Sequence, residues 1–153
     1  MDLQNLKWTK NIVPQNNEPW AYQPFGKSHL FKLAWRDNQG NADKPAREDL
    51  LLLRQRGYVT HLVRVLDYKS ENDAWCGDFN LYRIVETLWD IGDWANPGTF
   101  FRASKVFRYA AVLNYEGGNA MYLTDLPTFK ARWQGDDGLK AFQAYVHIHL
   151  NLA

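Results

Sequence analysis

The chain has 153 residues, with 18 basic side chains against 17 acidic ones and a formal net charge of +1. That balance excludes the broad electrostatic attraction behind non-specific binding to nucleic acid or anionic lipid, so any nucleic-acid contact must be local. The single cysteine excludes an intrachain disulfide and a multi-thiolate metal site, while 46% hydrophobic and 15% aromatic residues supply ample material for a core.

Residues 1–25 carry Pro14, Pro19 and Pro24, several Asn and Gln, and two isolated tryptophans, Trp8 and Trp20, with no sustained period. They read as an extended N-terminal arm whose indoles lie against the rest of the chain, residues 26–153 forming a single domain. Met1 to Lys10 lacks the basic-then-apolar order of a signal peptide, and the longest apolar runs, such as Leu50 to Leu53, are too short to cross a bilayer. The expectation is a cytoplasmic protein with no membrane partner.

Ser28 to Trp35 alternates, with Phe31, Leu33 and Trp35 on one face, as a strand does. Turn residues fill Asp37 to Pro45, and Leu50 to Leu53 reads as a strand buried on both faces. A tight turn at Gln55 to Gly57 leads into a strand over Tyr58 to Tyr68, which implies a hairpin. Lys69 to Asp78 reads as a loop and Phe79 to Ile91 as a long strand rich in β-branched and aromatic residues.

Thr99 is placed to cap a helix with Phe100, Ala103, Phe107 and Ala110 on its apolar side and Arg102, Lys105 and Arg108 on its solvent side. Gly117-Gly118 signals a turn before a short strand, Ala120 to Leu123. Thr124 then caps a helix over Asp125 to Trp133 with Pro127 in its first turn. Gln134 to Gly138 reads as a loop. In the last segment Ala144, Val146, Ile148, Leu150 and Leu152 alternate with Tyr145, His147, His149 and Asn151, which predicts a strand.

Few constellations suggest chemistry. On that last strand His147 and His149 would project from one face about 7 Å apart, the beginning of a metal site for a hydrolase, or simply a solvated face. Asp49, Asp78 and Glu86 with Lys32 could form an acidic cluster, although strand ends and caps explain such carboxylates equally. Cys76, in Trp75-Cys76-Gly77, matches no nucleophile signature. His61 falls on the apolar face of its strand, as a hydrogen-bonded core histidine or a cavity liner. Glycine-rich phosphate loops, serine elbows and paired-acid motifs are absent, so no catalytic residue, metal or cofactor is assigned.

The aromatic load at strand ends and in loops stands out: Trp35, Tyr58, Trp75, Trp89 and Trp94 could stack on a flat ligand or cap the end of a barrel. Arg102, Lys105 and Arg108, with Arg54, Arg56 and Arg64 near the hairpin, could meet phosphates or form a solvated face.

Leu30-Phe31-Lys32, Glu48-Asp49-Leu50-Leu51-Leu52-Leu53 and the glycine-led strand Gly57 to Val65 resemble the PUA-like superfamily, in particular its EVE and YTH branches. Glu48 stands where those domains carry glycine. The resemblance implies an α+β fold, a small mixed β-barrel of five or six strands (a pseudobarrel) flanked by two or three helices. It also implies a non-enzymatic binding module for RNA or a modified nucleobase in DNA or RNA. On this reading Trp35, Tyr58, Thr60 and Trp94 line the ligand pocket, and Arg102, Lys105 and Arg108 steady the nucleic-acid backbone. The competing expectation is an assembly subunit that forms a homo-oligomer through its N-terminal arm.

Overall fold

The computed structural model describes residues 1–14, 18–110, 112, 117–134 and 136–153, with backbone only at 75, 76 and 136. Among them seven strands form one mixed sheet: β1 (Leu6–Asn11), β2 (Leu30–Trp35), β3 (Leu50–Gln55), β4 (Tyr58–Val65), β5 (Glu71–Cys76), β6 (Phe79–Asp90) and β7 (Ala120–Tyr122). The order is β2-β6-β4-β3-β1-β7, with β5 also paired to β6. All pairs are antiparallel except β1 with β3.

The sheet curls into a half-barrel but does not close, because β2 and β7 remain at its edges. The α+β class therefore holds, whereas the expected barrel of five or six strands is an open one of seven. Among the described residues four α-helices accompany it rather than two or three: α1 (Gln39–Ala42), α2 (Ala103–Phe107), α3 (Pro127–Trp133) and α4 (Asp136–His149).

The β3–β4 hairpin turns on Arg56 and Gly57, with φ of 51° and 81°. Two positive φ angles give a two-residue turn the twist its flanking strands need, and glycine takes the second without strain. β4 and β5 lie end to end along the same side of β6, interrupted where Asp67 takes over: its carboxylate accepts from the Ile84 amide at 2.9 Å and from Arg83 Nε at 2.7 Å. Arg83 is fully buried and also donates to the carbonyls of Ala42, Pro45 and Asp67, so its charge is matched on every side.

β3 is buried along its whole length, as its apolar run requires. Leu50 and Leu52 face a core shared with the helices, including Val106, Phe107, Phe129, Phe142 and Val146. Leu51 and Leu53 face the opposite core with Trp8, Phe31, Trp35, Val63 and Val85. Residues 18–25 cross this second face: Ala21 exchanges two hydrogen bonds with the Gln55 amide, and Phe25 stacks on Phe31 at 5.1 Å.

Three elements depart from the sequence reading. The N-terminal arm is no arm over Leu6–Asn11, because β1 sits inside the sheet between β3 and β7. The loop expected over Lys69 to Asp78 holds β5, whose poor strand formers Asn72 and Asp73 extend along β6. The terminal strand is the helix α4. Leu139, Phe142, Gln143, Val146 and Leu150 face inward at helical spacing, while Ala144 and Ile148, inward on the strand reading, are exposed, Ile148 by 78%.

Candidate functional site

The structure separates the four residues expected to line a ligand pocket. Trp35 is fully buried, its indole N–H donating to Asn41 Oδ1 at 2.8 Å. Thr60 is also buried: its hydroxyl accepts from Gln55 Nε2 at 3.1 Å and bonds His61 Nδ1 at 3.0 Å. Tyr58 and Trp94 are half-buried and are brought together by Trp20, which meets both edge-on with ring centroids 5.9 and 5.6 Å away.

Arg102, Lys105 and Arg108 do not share one long helical face. The helix α2 has five residues, with Arg102 at its N-cap, Lys105 exposed within it and Arg108 closing it in the left-handed conformation. Arg102 lies over the Tyr58 ring at 5.3 Å and Arg108 over Tyr145 at 5.4 Å. Tyr58, Trp94 and Arg102 thus join one ring cluster at the hairpin end, and Trp35 lies apart from it in the core.

His61 is a satisfied core histidine. Its Nε2 donates to the Tyr22 carbonyl at 3.1 Å, which leaves Nδ1 to accept from the Thr60 hydroxyl. Burial pushes its pKa down to about 4, so the ring is neutral near pH 7.

The histidine pair is overturned by the helix that carries it. Residues two apart on a helix diverge, and His149 is spent on Phe100, stacking at 4.0 Å and bonding its carbonyl at 2.7 Å. The carboxylates proposed as a cluster are also dispersed: Asp49 accepts from the Trp8 indole, and Glu86 pairs with Arg64 at 2.6 Å. Lys32 pairs instead with Asp73 at 3.2 Å. No group of three His, Cys, Asp or Glu among the described residues could hold a metal ion. The side chains of Trp75 and Cys76 lie outside the described residues.

The site that sequence reasoning missed lies beside the end of β1. A cavity of about 340 Å³ is lined by Lys10, Ile12, Glu18, Tyr22, Phe25 and Phe79, among others. Tyr22, Phe25 and Phe79 are half-buried walls, and Phe79 packs so closely on Gly118 that a Cβ there would strike its ring. A second hollow of about 680 Å³ shares Ile12 and Val13 with the first and adds Arg54 and Arg56.

Lys10 is 1% exposed, and its ammonium lies 5.0 Å from the Trp35 ring. Desolvation, and secondly the nearby Arg54 charge, pull its pKa down to about 7. The arm reading hid this residue. Comparison of the chain with protein-family models, with curated proteins and with solved structures finds no match. Among the described residues, no helix is long and apolar enough to cross a membrane.

Proposed function

We propose that the protein is a non-enzymatic binding module that takes an unpaired or modified nucleobase into the ring-walled cavity beside β1. The observation that carries this reading is the pairing of that cavity with a basic hollow sharing Ile12 and Val13. Tyr22, Phe25 and Phe79 offer ring surfaces to a flat ligand, and base-aromatic contacts of this kind contribute about 1–3 kcal/mol each. Arg56, exposed in the adjoining hollow, is the cation a phosphate on that ligand would meet, whereas Arg54 is buried there and donates to Thr9 Oγ1 and the Val112 carbonyl. Arg102 and the ring cluster of Trp20, Tyr58 and Trp94 extend the same end of the hairpin.

With a net charge of +1, affinity has to come from few phosphate contacts. Titration of short single-stranded RNA and DNA carrying modified bases, at low salt, should change tryptophan emission and raise the melting temperature. Two phosphate contacts predict a log K against log salt slope of about −1.4. If emission and melting temperature both stay flat across the series, the reading is lost.

A further inference from the structure

Burying a lysine side chain takes its ammonium out of water at a cost in free energy. Lys10, 1% exposed and with its ammonium 5.0 Å from the Trp35 ring, is held on the strand β1, whose position between β3 and β7 fixes its backbone on both sides. It lines a cavity of ligand size whose other walls are mostly apolar: Ile12, Val13, Ala21, Pro24, Phe25 and Ala34. A desolvated lysine beside a second cation is the arrangement that leaves an amine neutral and nucleophilic at ordinary pH.

We propose that Lys10 forms a reversible imine with a small aldehyde or ketone that enters the cavity between β1, β2 and residues 18–25. The proposal concerns the same cavity but goes beyond the nucleobase reading, since it assigns the cavity a different ligand and stands or falls separately. The neutral amine attacks the carbonyl carbon through its lone pair. The carbon–nitrogen bond forms as the carbonyl oxygen takes up a proton, and the resulting carbinolamine loses that oxygen as water. The two amine protons leave with it, so lysine and carbonyl compound give imine and water with no oxidant or reductant.

The surroundings favour this chemistry. Among the described residues, the charged or titratable groups facing Lys10 are Arg54 on β3 and Glu18 and Tyr22 from the crossing segment. Tyr22 keeps its proton, since burial pushes its pKa up to about 12. The Lys10 pKa of about 7 leaves half the amine neutral at neutral pH. An ordinary lysine, with a pKa near 10.4, has about a thousandfold less of the reactive form there. The lower basicity also weakens the nucleophile, so the expected selectivity is smaller than that ratio.

The test uses the full chain with benzaldehyde as the probe and sodium cyanoborohydride to reduce any imine, followed by peptide mapping by mass spectrometry. At pH 7 the benzyl adduct should appear on Lys10 at least about tenfold faster than on Lys7, Lys27 or Lys44, with a rate that levels off above about pH 7. The Lys10→Met chain should lose that adduct alone. The mapping needs only the unmodified protein, so a poorly folded variant does not spoil it. A peptide map with no adduct at Lys10, or with adducts spread evenly over all lysines, overturns the proposal. A melting-temperature shift with benzaldehyde but without reductant separates the two readings. A shift with no Lys10 adduct discards the imine and leaves a binding cavity.

Discussion

Lys10 and His61 are both buried bases whose folded pKa lies below the ordinary value, about 7 against 10.5 and about 4 against 6.5. In each window the unfolded chain holds a proton that the folded chain lacks, so stability rises with pH across it. The protein should lose stability as pH falls from 6.5 to 4 through His61, and gain it from pH 7 to 10.5 through Lys10. Urea unfolding at pH 5, 7 and 9 measures both limbs. Lys10→Met should flatten the upper limb and raise stability at pH 7 by about 1–3 kcal/mol, since an apolar side chain of similar length removes the burial penalty. An unchanged upper limb in that variant would show that the amine is not desolvated. His61 shows what residue-level reading can reach. Its place on the apolar face was legible from alternation and Thr60 is its chain neighbour, but its other partner, the Tyr22 carbonyl, comes from elsewhere in space.

Among the elements, β2, β3, β4, β6 and β7 were legible to within a few residues, because each carries alternation or an apolar run between turn residues. The misreadings have physical causes. β1 buries Thr9 and Lys10, residue types that sequence patterns count as solvent-facing. β5 opens on Glu71, Asn72 and Asp73, which carry no strand signal, and it extends along β6. At the end of α4, Val146 and Leu150 are four apart and Ile148 falls between them by composition alone, so five residues satisfy a period of two and only Val146 and Leu150 are buried core. A pair of substitutions reads the difference directly. Val146→Ala should cost about 2 kcal/mol and Ile148→Ala less than about 0.5, whereas a strand would make the two similar. Thermal denaturation of both variants suffices.

At the scale of the molecule, β1 binds the sheet into one piece, since it alone joins β3 to β7. Deleting residues 1–12 should therefore abolish cooperative unfolding rather than dissociate an oligomer, a result that circular dichroism during a melt distinguishes from a merely weakened fold. The same strand supplies the amine of the candidate site, and this is why that site was the least legible part of the chain. Tyr58, Trp94 and Arg102 could be grouped by their loops and strand ends. The cavity instead needs β1, residues 18–25 and Phe79 to meet, which no local pattern declares.

The parallel seat of β1 also bears on how the chain assembles. β3, β4 and β6 can pair with near neighbours soon after they are made, but Trp8 must wait for Tyr122 to be synthesised before its outer side is covered. A contact spanning most of the polypeptide forms slowly. Until β1 docks, Leu50 to Leu53 present unpaired amides and carbonyls beside leucine side chains, the kind of exposed edge on which nascent chains stick to one another. Escape from aggregation during synthesis therefore depends on how early the first strand finds its slot.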